Sequence, residues 1–462
     1  MMSRWVRRAV GTALAGLVMV AMTPSAHAAT PTGFSYQDRL GGTDRYGTSV
    51  SITRQWFAQP SAPTVYIASG ENYPDALAAG AAAAVKTAPV MLARRGEIPA
   101  PVLDEIRRLQ PGRIILLGGE AALGSQVEAQ ARTVSGFVER IAGATRYETA
   151  QLISRSVFEG NVPVVYLASG RSFPDALAGA AAAGHQGGPV LLTDPGTLSE
   201  AAREELSRLH PAKIVVLGGT AAVSNAVQTA AGAYGQTTRI EGTDRYATAA
   251  ALSAAVFDAP RLAFIASGQN FPDALSGAAR AGAEGSPVLL VQPTAVPASV
   301  CTELKRLSPT VVTALGGDGA VSNATLRGAA LRCPAPAPAP NAQCTNVAGP
   351  GLDGALARPA VEDALAAIRS ADVAIPTGFG LATPVKNLDE ALARLEQAGT
   401  ADVCQQAYYT QLLWEIRVDT AQAVYDASIF DRSVANYRSA RAGFATLLQM
   451  INEDLGTSYR MP

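Results

Sequence analysis

From residue 46 to residue 117, short apolar runs alternate with segments of helical spacing. Tyr46 to Phe57 reads as a helix, and Val65-Tyr66-Ile67-Ala68 is an apolar run stopped by Ser69-Gly70, as a buried strand is. Pro74 suits a helix start, where its missing N–H costs nothing and its φ is already helical. Asp75 beside it places a negative charge in the first turn, which favours the helix dipole. The Ala-rich stretch from Ala76 to Ala84 supplies helix propensity with side chains small enough for close packing on a sheet. Val90-Met91-Leu92 reads as a second buried strand, Pro101 to Leu109 as a second helix, and Ile114 to Leu117 as a third strand ended by two Gly. Strands that are apolar throughout and alternate with helices predict an open parallel sheet covered on both faces, an α/β unit.

The same unit occurs three times. Arg39-Leu40-Gly41-Gly42-Thr43-Asp44-Arg45-Tyr46 recurs 101 residues later, at Arg140 to Tyr147, and again 99 residues on, at Arg239 to Tyr246. Ala68-Ser69-Gly70 and the following Tyr73-Pro74-Asp75-Ala76-Leu77 recur at Ala168 to Leu177 and Ala266 to Leu275. Pro89-Val90-Met91-Leu92 returns as Pro189-Val190-Leu191-Leu192 and Pro287-Val288-Leu289-Leu290, and Leu117-Gly118-Gly119 as Leu217-Gly218-Gly219 and Leu315-Gly316-Gly317. Four landmarks in one order, three times, define tandem domains of about 100 residues rather than thin solenoid turns. Spacing alone leaves open whether they pack around a pseudo-threefold axis or lie as beads.

These landmarks resemble the cell-wall-binding repeat type 2 family, whose members carry three such units in tandem. The resemblance covers residues 39 to 331. It implies three open parallel-sheet α/β domains arranged as a pseudo-trimer, and non-covalent attachment to an anionic secondary polymer of a Gram-positive wall. The repeats are expected at 39–138, 139–237 and 238–332. Two departures stand out: Ala144-Thr145 replaces the Thr-Asp of the other copies, and Met91 stands where they have Leu191 and Leu289.

An anionic polymer calls for cationic or N–H donors. Arg45, Arg146 and Arg245 are the candidate ligand residues, because the planar guanidinium fork can hold phosphate or carboxylate bidentately. Equally, each Arg can pair with a nearby Asp or pack along its neighbouring Tyr. Ligands of open parallel sheets favour the carboxyl ends of strands, where Ser69, Gly70, Ser169, Gly170, Ser267, Gly268, Gly118, Gly119, Gly218, Gly219, Gly316 and Gly317 fall. Gly there lets backbone N–H groups approach an anion, and is also the default residue of a tight turn. The Asp of each Pro-Asp-Ala-Leu reads as a dipole partner in preference to a catalytic acid or a metal ligand. The apolar Pro-Val-Leu-Leu segments read as core.

The ends and the last third add the rest. Arg4, Arg7 and Arg8, an apolar run from Val10 to Met22 and Ala26-His27-Ala28 have the order of an export signal cleaved after residue 28. The run is shorter than the roughly 20 residues of a membrane span, and no sorting tail follows at the C-terminus. Cleavage leaves 34 of the 37 basic residues against 38 acidic ones, which excludes a basic nucleic-acid binder. The Pro/Ala-rich residues 333–341 read as an extended spacer, rising about 3.1 Å per residue. Beyond them, 342–462 reads as a helical domain of unassigned function, with helices near Ala360–Ile368, Leu388–Gln397, Val403–Ala427 and Val434–Asn452.

Four Cys in an exported chain suggest two disulfides. Cys301 with Cys333 and Cys344 with Cys404 keeps each pair on one side of the spacer. Neither a metal site nor a cofactor is expected. His27, His185 and His210 are the only histidines, whereas a zinc amidase calls for His ligands and a Cys nucleophile for a His base. The expectation is a secreted, wall-associated, non-catalytic protein that carries a helical domain able to meet a protein partner. Two alternatives stay open: a wall hydrolase using a carboxylate pair such as Glu362 and Asp363 or Glu415 and Asp419, and an exported receptor for a small ligand.

Overall fold

The computed structural model describes residues 35–59, 61–72, 74, 77–333, 354–375, 381–398, 403–426, 430–455 and 457–462. The export segment, the Pro/Ala-rich spacer, Asp75, Cys344 and the side chain of Cys404 lie outside the described residues.

Each repeat supplies a strand and a helix four times over. The first gives β1 (Tyr36–Leu40), α1 (Arg45–Trp56), β2 (Thr64–Ser69), α2 (Ala79–Val85), β3 (Val90–Ala93), α3 (Ala100–Leu109), β4 (Arg113–Leu117) and α4 (Ser125–Arg132). The second gives β5 (Val138–Ile141), α5 (Arg146–Val157), β6 (Val164–Ser169), α6 (Pro174–His185), β7 (Val190–Thr193), α7 (Glu200–Leu209), β8 (Lys213–Leu217) and α8 (Asn225–Ala231). The third gives β9 (Gln236–Ile240), α9 (Arg245–Val256), β10 (Leu262–Ser267), α10 (Pro272–Ala283), β11 (Val288–Val291), α11 (Ala298–Leu307), β12 (Val311–Leu315) and α12 (Asn323–Ala330).

The strands form three parallel sheets, ordered β3-β2-β4-β5, β7-β6-β8-β9 and β11-β10-β12-β1. The fourth strand of each sheet therefore belongs to the start of the next repeat, and β1 closes the circle by pairing Tyr36–Leu40 with Val311–Leu315. A repeat is thus not a self-contained sheet, because each one lends its first strand to its neighbour. Polar sequence hides these strands: Tyr-Gln-Asp-Arg-Leu, Val-Glu-Arg-Ile and Gln-Thr-Thr-Arg-Ile carry the mixed character of sheet edges.

The units meet around a pseudo-threefold axis. The Ala-rich helices α2, α6 and α10 each touch the other two. A Cβ on Gly80 would lie 2.9 Å from the Ala180 Cβ and 3.2 Å from the Ala278 Cβ, so only glycine permits that approach. Val90-Met91-Leu92 and its two counterparts are fully buried, as core segments should be.

A buried carboxylate recurs in each unit. Glu105, Glu205 and Glu303 sit in α3, α7 and α11 and accept from Arg108, Arg208 and Arg306 one turn on. The same Arg residues donate to the carbonyls of Phe57, Phe158 and Phe257, at the ends of α1, α5 and α9. This network ties one helix of each unit to the terminus of another.

The last part folds as α13 (Gly354–Ala374), α14 (Ala382–Gln397), α15 (Val403–Tyr425) and α16 (Phe430–Leu455). Val361, Leu365, Leu388, Leu392, Tyr437 and Phe444 form its core, in a cluster separate from that of the repeats. The Cys301–Cys333 disulfide is present and ties α11 to the chain that leaves the third unit. The bundle does not stand apart from the repeats, since α15 lies against β1.

Candidate functional site

The three Arg-Tyr pairs open helices at the seams between units. Asp44 caps α1 by accepting from the Gly47 N–H at 2.8 Å, and Asp244 caps α9 by accepting from the Ala247 N–H at 2.7 Å. Thr145 does the same work for α5, accepting from the Glu148 N–H at 3.2 Å. The role of this Asp is helix capping, and Thr145 fulfils it in the second copy.

Each capped helix starts with its Arg turned across the end of a sheet. Arg45 donates to the Gly70 carbonyl, Arg146 to that of Gly170 at 2.7 Å and Arg245 to that of Gly268 at 2.6 Å. Among the described residues, the preceding unit contributes an acid at two of these seams. Asp175 interacts electrostatically with Arg245, and Asp273 with Arg45, Asp273 also bonding the Thr48 side chain. Burial raises both carboxyls above the usual range, a tendency that the neighbouring cations oppose. The Arg245 guanidinium also lies over the Phe173 ring, 5.9 Å from its centroid. Arg45 and Arg245 remain exposed, and Arg146 is half-buried.

The glycines divide by task. A Cβ on Gly70 would press into the Tyr46 ring at 2.7 Å and Arg45 Cδ at 3.2 Å, and Gly170 and Gly268 meet their own Arg-Tyr pairs in the same way. Gly118, Gly218 and Gly316 have positive φ, at 97°, 85° and 101°. Gly218 and Gly316 also leave room for the carboxylates of Asp175 and Asp273, which lie against them. Gly119 has open space where a side chain would be, whereas Gly219 faces Glu241 and Gly317 the Gly42 carbonyl. Ser69, Ser169 and Ser267 are buried, their hydroxyls accepting from Glu71, Arg171 and Gln269 N–H groups in the turns that leave the strands.

Two clefts open at the sheet end of the first unit. One, of about 680 Å³, is lined by Glu71, Arg94, Glu97, Gln126 and Gln130; its neighbour, of about 490 Å³, by Arg95, Glu120 and Ser125 among others. Arg94 and Arg95 directly follow β3, where the second unit has Asp194-Pro195 and the third Gln292-Pro293. The signal lies in the sequence, two residues beyond the landmark that ends at Leu92, as a difference between copies rather than a likeness.

The profile of the Cell wall binding domain 2 (CWB2) family matches residues 39–128, 140–228 and 239–326, more than half of the chain. The chain belongs to this family. Among curated proteins, the CWB2 chain is 28% identical over 252 residues to the N-acetylmuramoyl-L-alanine amidase LytC of Bacillus subtilis, covering 54% of this chain and 49% of that protein. It is 26% identical over 301 residues to the amidase enhancer of the same organism, covering 63% of this chain and 41% of that one. It therefore spans half or less of these relatives. Among solved structures, Cwp6 from Clostridium difficile superposes with a TM-score of 0.61 at 23% identity, over 65% of this chain and 48% of that one. Cwp8 from the same organism gives 0.59 at 23% identity, over 64% and 52%. At this identity the structural likeness shows the fold alone. The three CWB2 units make this a cell-wall-associated surface protein. Among the described residues, no helix is long and apolar enough to cross a membrane.

Proposed function

We propose that this chain is a non-catalytic anchor whose CWB2 units hold an anionic wall polymer at the seams between them. The observation that carries this reading is the repeated placement of Arg45, Arg146 and Arg245. Each is fixed by one bond to a strand-end carbonyl, which orients the cation beforehand and lowers the entropy lost when a ligand binds. A polymer repeating the same anion can occupy several such points at once, so weak contacts add up to firm retention.

The last histidine of the sequence is His210, so the helical region has no His to serve as a zinc ligand or as the base of a Cys nucleophile.

Competition on purified walls tests this reading. A soluble anionic wall polymer should displace the bound protein, and an uncharged polysaccharide of equal length should not. Raising the ionic strength from about 0.1 M to about 1 M, which shortens the Debye length from about 10 Å to about 3 Å, should weaken retention. Equal displacement by both polymers would remove the charge-based account.

A further inference from the structure

The three seams of the ring differ in how the chain crosses them. Residue 141 ends β5 and residue 146 begins α5, so continuous chain joins the first unit to the second; β9 and α9 join the second to the third in the same way. At the third seam β1 leads into α1 in the same way, but β1 is not continuous in sequence with the third unit whose sheet it enters, as β5 and β9 are with the first and second. There the N-terminal strand β1 alone enters the sheet of the third unit, as an edge strand beside β12. An edge strand leaves one side of its backbone unpaired.

The helical bundle sits at this edge. The Gln422 side chain of α15 accepts from the Gln37 N–H at 2.7 Å and donates to the Gln37 carbonyl at 2.8 Å, replacing the bonds a further strand would make. Arg432 of α16 donates to Asp38 at 3.1 Å, and the Tyr425 ring stacks on Tyr36 with centroids 4.5 Å apart. Arg327 of α12 pairs with Asp419 of α15, so the bundle grips the third unit as well as the strand inserted into it. Leu331, Val418 and Ala421 bury one another beneath these polar contacts, with Tyr36 and Trp414 packed alongside. On the sheet of the first unit the corresponding edge looks different: Phe137, the counterpart of Tyr36 by repeat spacing, is 57% exposed.

We propose that the helical bundle is a clasp: it holds β1 in the third sheet and so keeps the ring shut at the one seam where the inserted strand is not joined by continuous chain to the unit that receives it. The inference rests on these contacts and not on polymer binding. Because β1 leads within five residues to Arg45, the clasp also fixes the cation of that seam.

Hydrogen exchange of the full chain, followed by mass spectrometry, tests this. In a Gln422→Ala, Arg432→Ala double variant, peptides covering residues 36–44 should exchange roughly tenfold faster, while those from β5 and from the core of α16 keep their parental rates. Unchanged exchange in 36–44 overturns the proposal. Tyr425→Ala is the second variant, since its partly exposed side chain can be trimmed without opening the bundle core. It should speed exchange in the same segment by a smaller factor. If the double variant loosens α16 itself, the Tyr425→Ala result decides: faster exchange confined to 36–44 supports the clasp, and parental exchange there overturns it.

Discussion

With Arg45, Arg146 and Arg245 all changed to alanine, the protein should wash off purified walls under conditions in which every single variant is still largely retained. Three sites on one rigid ring act at high effective concentration, so the loss of all three should weaken retention by about a hundredfold or more, against about tenfold for one. The ring geometry underlies this expectation: each Arg opens a helix at a seam, held by the carbonyl of Gly70, Gly170 or Gly268. Those bonds also contribute to folding, so the variants must be compared by denaturant unfolding. Lysine at the three positions separates the two roles, because it restores charge without the bidentate fork. Recovery with lysine would mean that charge suffices; no recovery, in a folded protein, would mean that the fork itself recognises the polymer. A triple variant that loses no more than the worst single one would show that the sites do not act together.

Glu205→Ala should be the most damaging single change to stability. The carboxylate is fully buried and accepts from Arg155 at 3.1 Å, Ser154 at 2.6 Å and Arg208. Removing it takes the shared carboxylate from two guanidinium groups, leaving Arg208 with the Phe158 carbonyl and Arg155 with Glu204, and opens a cavity beneath α5. Breaking a buried pair costs about 3 to 5 kcal/mol, and the partial exposure of both Arg side chains places the expected loss near about 3 kcal/mol. Burial alone would raise the carboxyl, but the bonds from Arg208, Ser154 and Arg155 outweigh it and hold Glu205 below the usual range. A carboxyl depressed on folding contributes stability that is present above its unfolded value and is lost as the pH falls through its folded one. The gap between parent and Glu205→Ala, measured by denaturant melts, should therefore be widest near neutral pH and narrow in acid. A gap that does not change with pH would mean that packing, not ionisation, sets the cost.

The apolar segments were legible in the sequence. Val65–Ala68, Val90–Leu92 and Ile114–Leu117 are strands, as their unbroken hydrophobicity predicts, and the four C-terminal helices lie where apolar spacing places them. The fourth strand of each sheet was not, because an edge strand such as Val-Glu-Arg-Ile needs one apolar side at most and its partner lies in another repeat. Spacing could not choose between beads and a ring; that choice depends on β1 pairing with β12, some 275 residues away. The burial of Glu105, Glu205 and Glu303 is not legible either, since an acid one turn before an Arg looks like any solvated helix face until burial is known. At the seams the residue types were readable but their partners were not: the acid that meets Arg245 is Asp175, contributed by the preceding unit.

The most direct test of wall attachment through an anionic polymer is co-sedimentation of the full-length protein with purified Gram-positive walls, before and after mild acid extraction of their anionic polymers. Retention on intact walls that disappears after extraction is the predicted result. Equal retention on both would place the binding on another wall component, and no retention on intact walls would contradict the anchor outright.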